Sequence, residues 1–92
     1  MVSERENELA KAIEQELYEH IGPLLFGEKL YAALGFSSYQ AFRQASSRNT
    51  LPVEIFSLEK RRGKFALSRD VARWLAKKRY QIAKETEQDT MA

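Results

Sequence analysis

Leu30-Tyr31-Ala32-Ala33-Leu34-Gly35-Phe36-Ser37-Ser38-Tyr39-Gln40-Ala41-Phe42-Arg43-Gln44 is the stretch whose reading decides the fold. Two short helical patterns meet in it across Gly35-Phe36-Ser37-Ser38. The first, from Gly27 to Leu34, sets Leu30, Ala33 and Leu34 on one side, the spacing of an amphipathic helix. Gly35 ends it where a left-handed backbone costs little. Ser37 is a good N-cap, and Ser37-x-x-Gln40 reads as a capping box for a second helix from Ser38 to about Ala45 or Ser46. That helix points Ala41 and Phe42 inward and leaves Tyr39, Gln40, Arg43, Gln44 and Ser47 on its outer side. A short glycine-containing link between helices this short favours a sharp crossing.

On the C-terminal side, Ser46-Ser47-Arg48-Asn49-Thr50 is polar and turn-rich, and Pro52 excludes a continued helix. Val53-Glu54-Ile55-Phe56-Ser57-Leu58 alternates as a strand does, and Lys64-Phe65-Ala66-Leu67 reads as its return strand. Between them Glu59-Lys60-Arg61-Arg62-Gly63 reads as a hairpin loop, with glycine where a positive φ is often needed. Ser68 is expected to cap the last helix, with Asp70 in its first turn favourable to the helix dipole. Its buried stripe is Val71, Trp74, Leu75 and Ile82, with the stem of Lys78; Lys77, Lys78 and Arg79 carry their charges outward. Residues 86–92 lack periodicity and are expected to form a disordered tail.

On the N-terminal side, Ser3-x-x-Glu6 opens a helix that runs to about Glu19 or His20, where Gly22-Pro23 stops it. Its apolar stripe is Leu9, Ala10, Ile13, Leu17 and Tyr18. The stripe must be buried, on the domain or against the same helix of a second copy. Leu24-Leu25-Phe26 reads as a short buried run. The chain therefore divides into a helical arm over 1–22, a domain over 23–85 and the tail over 86–92. The arm serves dimerisation or a partner.

Ninety-two residues with 43% apolar content allow one modest core and no second. No apolar run approaches the roughly 20 residues that span a bilayer, and Ser3 to Glu8 lacks the pattern of a secretion signal. Cysteine is absent, which removes disulfides and thiolate metal sites and fits a reducing compartment. A cytoplasmic protein without a membrane partner is expected. Net charge is only +2, but residues 1–30 hold seven acids against three bases, whereas residues 43–79 hold eleven bases against three acids. Such a split is expected where one surface meets a polyanion.

From about Leu24 to Leu75 the chain resembles the winged helix-turn-helix domains of the excisionase and MerR-like superfamily, AlpA-type regulators included. Leu30-Tyr31-Ala32-Ala33-Leu34-Gly35-Phe36-Ser37 is similar to that family's first helix and turn, and Tyr39 to Gln44 falls in the recognition-helix position. Asn49-Thr50-Leu51-Pro52 resembles the glycine-x-leucine-proline stretch leading into the wing, and Arg61-Arg62-Gly63-Lys64-Phe65 falls at the wing tip. Ser68-Arg69-Asp70-Val71-x-x-Trp74-Leu75 resembles the closing helix. Tyr31 stands where such domains usually keep a small residue, and Asn49 stands where they keep glycine. The fold this implies is mostly α with a small β-hairpin wing: a winged helix-turn-helix with four helices.

Arg43, Gln40 and Gln44 suit base edges, since arginine grips guanine and glutamine grips adenine. Tyr39, Ser38 and Ser47 are placed to donate to phosphates, as are the amides that open their helix. Lys60, Arg61, Arg62 and Lys64 form a basic loop suited to a phosphate backbone or a minor groove. Arg48, Arg69 and Arg73 are further phosphate candidates. The aromatic residues Phe26, Phe36, Phe42, Phe56, Phe65 and Trp74 read as core. His20 is the only histidine and has no partner at metal-ligand spacing, so neither a metal nor a cofactor is expected. Catalytic motifs are missing as well, so no enzyme is expected. The expected function is a small sequence-specific DNA-binding protein, a transcriptional regulator or recombination-accessory factor of mobile-element type. It would bind double-stranded DNA as a homodimer or cooperative oligomer, with the first helix as a candidate contact. The alternative is a protein–protein adaptor that uses the same surface without DNA.

Overall fold

A computed structural model describes residues 3–91, with side chains through Gln81. These residues form four helices and a two-stranded antiparallel sheet: α1 (Glu4–His20), β1 (Leu24–Phe26), α2 (Gly27–Ala33), α3 (Tyr39–Ser47), β2 (Phe65–Leu67) and α4 (Ser68–Met91). Helix α4 continues through Met91, so residues 86–91, expected to belong to a disordered tail, are helical, while the Ile82 side chain and those after it lie outside the described set.

The helix ends follow from local chemistry. The Ser3 hydroxyl accepts from the Glu6 amide at 3.1 Å, so α1 opens with its expected cap. At its other end the Ile21 and Gly22 amides both reach the Leu17 carbonyl, and Gly22 takes φ 116°. At the end of α2 the Gly35 amide donates to Ala32 O at 3.0 Å and the Phe36 amide to Tyr31 O at 2.9 Å. Gly35, at φ 90°, makes that double closure possible and turns the chain into α3. The closure recurs after α3, where Asn49 takes φ 60° and the Thr50 amide reaches Ala45 O at 3.0 Å. Asparagine thus does the work of glycine at that corner.

Two expectations at caps are corrected. Ser38, not Ser37, caps α3: it is extended at φ −150°, and its hydroxyl accepts from the Ala41 amide at 3.1 Å. Ser38-x-x-Ala41 has no Glu or Gln at the third helical position, so the cap is the serine hydroxyl alone and not the capping box expected at Ser37-x-x-Gln40. Ser68 does not cap α4; it is the helix's first residue and is fully buried. Its hydroxyl donates to Gly22 O at 2.7 Å, and its amide donates to Pro23 O at 2.8 Å. Both groups hold the start of α4 against the exit of α1.

The sheet also differs from the hairpin expected at 53–67. The main partner of β2 is β1, in the register Leu24↔Leu67, Leu25↔Ala66 and Phe26↔Phe65. The expected strand at 53–58 contributes one bridge, Phe56↔Phe65, made by reciprocal amide–carbonyl bonds of 2.9 Å. Leu25 and Ala66 point into the core and have no exposure, which anchors this register, since a one-residue slip would turn them out. Phe26 lies on the opposite sheet face and is 58% exposed, so it is not core. Its ring instead sits 5.5 Å from Phe65, which is itself 6.5 Å from Phe56.

Leu25, Leu30, Leu34, Phe42, Ala66 and Val71 form one buried cluster, with Tyr31, Phe36, Trp74 and Leu75 packed around it. Burial of each large side chain stabilises by about 1.5–3 kcal/mol, so removing any one weakens the whole domain. Tyr31 is accommodated at the α2–α3 corner by turning its ring toward Tyr39, at 6.4 Å. Phe36 meets Phe42 edge-on at 6.0 Å across the same corner. The stripe of α1 packs along α4, with Ala10 buried and Leu9, Ile13 and Leu17 half-buried. The first helix therefore buries most of its apolar face inside its own chain, whereas Tyr18, expected in the same stripe, is 45% exposed.

Candidate nucleic-acid interface

The surface that gathers most of the expected site residues runs from α3 to Lys64. Ser38 caps α3 at an exposed end, and Tyr39 follows with 56% of its surface open. The first amides of a helix have no intrahelical acceptor, so this end presents donors and partial positive charge. Its nine residues contain no acid. Gln40, Arg43, Gln44, Ser47 and Arg48 are all exposed and line one shallow concavity of about 270 Å³. Their spacing of three to four residues is what lays them on one face.

Lys64, just before β2, comes to this face through the fold. With Tyr39, Phe42, Arg43, Ser46 and Ser47 it lines a second concavity of about 240 Å³. Lys64 and Ser46 also line a third, of about 350 Å³, with Asn49, Leu51, Val53, Glu54 and Ile55. Arg43 and Ser47 are common to the first pair, and Ser46 and Lys64 to the second, so the three depressions form one connected surface. Arg43, Arg48 and Lys64 supply its positive charge, and Glu54 at the far end is its one acid.

Lys60, Arg61 and Arg62 are exposed on the loop between the Phe56 bridge and β2. The loop turns through Lys60 at φ 60° and Gly63 at φ 104°, and the Arg61 amide donates to Leu58 O at 3.2 Å. The three cations do not line the α3 depressions; they stand beyond them at the loop tip.

Arg69 and Arg73 fall elsewhere. Both line a groove of about 590 Å³ between α4 and α1, with Asn7, Ala10, Lys11, Glu14, Gln15 and Tyr18. No residue of that groove belongs to the α3 surface. The docking of α1 decides this, and nothing in the α4 pattern announces it. Ser46 and Asn49 are the residues missed on the α3 side. Ser46 stands three residues beyond Arg43, so helical spacing contained the signal, whereas Asn49 joins only because its left-handed turn folds the chain back.

Among the described residues no helix is long and apolar enough to cross a membrane. Comparison with protein families, with curated proteins and with solved structures returns no match.

Proposed function

We propose that this chain is a small sequence-specific DNA-binding protein of winged helix-turn-helix build. In this reading α2 and α3 are the helix-turn-helix, α3 enters the major groove, and the 57–64 loop is the wing on the backbone or in the minor groove. The observation that carries it is the joining of Tyr39, Arg43, Ser46 and Ser47 of α3 with Lys64 in one acid-free concavity. Exposed Gln40, Arg43 and Gln44 have the donors and acceptors that read base edges. Ser38, Tyr39, Ser47, Arg48, Lys60, Arg61, Arg62 and Lys64 hold the phosphates on either side.

A reading head this small makes few base contacts, so useful specificity needs two or more copies on one site. Any such pairing through α1 uses its outer face, because the apolar face is already packed on α4. The role is that of a transcriptional regulator or a recombination-accessory factor, of mobile-element type, working in the cytoplasm without cofactor or catalysis. A salt titration against random and site-selected duplexes tests the proposal. The logarithm of affinity should fall linearly with the logarithm of salt, and one selected sequence should bind more tightly than random duplex. Absence of binding at low salt would move the reading to the adaptor alternative, with an acidic protein on the same surface.

A further inference from the structure

The six glutamates of α1 are not equivalent. Glu4, Glu8, Glu16 and Glu19 are exposed, whereas Glu6 and Glu14 are half-buried. Those two are the ones that face α4. Glu14 is the one acid of the groove that holds Lys11, Arg69 and Arg73, and Glu6 lines a neighbouring groove of about 430 Å³ with Arg73 and Lys77. The two grooves share Asn7, Ala10 and Arg73.

The spacing matches on both helices. Arg69, Arg73 and Lys77 recur every four residues and are exposed, forming one cationic row along α4. The row and the Glu6–Glu14 pair each cover eight residues, about 12 Å of helix. Ser68 bonds to Gly22 at the exit of α1, so the helices run antiparallel, with Glu14 in the groove at the Arg69 end of the row and Glu6 in the groove at the Lys77 end. Buried Ala10 is what lets the helices approach beside Arg73.

Left uncovered, three cations in a row would bind phosphates anywhere on a duplex, with no reference to sequence. We propose that Glu6 and Glu14 are specificity-determining residues, whose carboxylates stand in the grooves beside the α4 cationic row, lower its potential and so confine polyanion contact to the α3 and wing surface. The inference rests on the DNA-binding reading above. It gives the acidic helix a task inside the monomer: it suppresses sequence-independent binding by shielding one surface.

The test uses the full chain and a random-sequence duplex, with affinity read by fluorescence anisotropy over a range of sodium chloride. The Glu6→Gln/Glu14→Gln variant should bind random duplex roughly threefold or more tightly, with a log-affinity against log-salt slope steeper by about one to two, as expected when further phosphates are neutralised. Glu16→Gln/Glu19→Gln removes the same charge from the outer face and should change affinity less. Adding Arg69→Gln, Arg73→Gln and Lys77→Gln to the first variant should return affinity to the wild-type value. Melting curves followed by circular dichroism identify the variants that remain folded. Equal gains from the two glutamate pairs would reduce the effect to net charge and overturn the inference, as would no gain from Glu6→Gln/Glu14→Gln. A wild-type chain that binds no duplex at any salt overturns the DNA-binding reading itself.

Discussion

The Ser68 hydroxyl donates to the Gly22 carbonyl at 2.7 Å, across 46 residues of chain, and Ser68 has no exposed surface. One hydrogen bond thus joins the end of α1 to the start of α4, beside the amide of the same serine on Pro23 O. Ser68→Ala leaves the Gly22 carbonyl without that donor in a partly buried place. We expect a loss of about 1–3 kcal/mol, the cost of an unsatisfied buried group. Urea unfolding followed by circular dichroism measures it. A loss indistinguishable from zero would mean that the amide of Ser68 alone holds the junction.

Asn49 holds φ 60° at the corner after α3. Asn49→Ala should cost about 1 kcal/mol, because alanine pays the left-handed penalty that asparagine largely avoids. Asn49→Gly should be neutral or slightly stabilising, since glycine takes that conformation freely. Thermal melts should therefore show a lowered Tm for Asn49→Ala and an unchanged or slightly raised one for Asn49→Gly.

Ser38 separates stability from binding. Ser38→Ala removes the oxygen that accepts from the Ala41 amide and should destabilise by roughly 0.5–2 kcal/mol. Ser38→Asp keeps a capping oxygen and adds a negative charge favourable to the helix N-terminus, so the melt should be preserved. On the proposed interface the same carboxylate repels phosphate. Duplex affinity should fall several-fold for Ser38→Asp although its fold is intact. Unchanged affinity would remove the N-terminal end of α3 from the interface.

Arg43 and the loop arginines are expected to fail in different ways. Arg43→Ala should flatten the preference among selected sequences, a loss of about 1–3 kcal/mol at the position it reads. Arg61→Ala/Arg62→Ala should weaken all duplexes alike and reduce the salt slope by about 2, one unit for each lost phosphate contact. Competition binding with selected and random duplexes distinguishes the two patterns. If neither variant alters affinity while both melt normally, the interface lies on another surface.

Much of the helical structure was legible residue by residue. Ser3, Gly35 and the stripe of Leu30 and Leu34 announce their roles within a few positions, because capping, left-handed turns and helical periodicity are local. The α3 face was legible for the same reason, down to Gln40, Arg43, Gln44 and Ser47. The sheet was legible only in part. Phe65-Ala66-Leu67 alternates as a strand, but its pattern cannot say whether the partner is the nearby 53–58 segment or the distant Leu24–Phe26. Phe26 shows the same limit. It belongs by type to the core, yet it falls on the outer face of a sheet whose register is anchored by Leu25 and Ala66.

By itself the sequence determined the helices, the Ser3 cap, the α2–α3 corner and the division of charge, since each depends on torsions, hydrogen bonds or residue types among near neighbours. Tertiary structure alone decided that β1 completes the sheet, that Ser68 serves a junction in place of a cap, and that α1 lies on α4. It also decided that Lys64 joins the α3 face while Arg69 and Arg73 line the α1–α4 groove with Glu14. Those outcomes depend on which distant surfaces bury the most apolar area together, and that competition is settled only when the whole chain has packed.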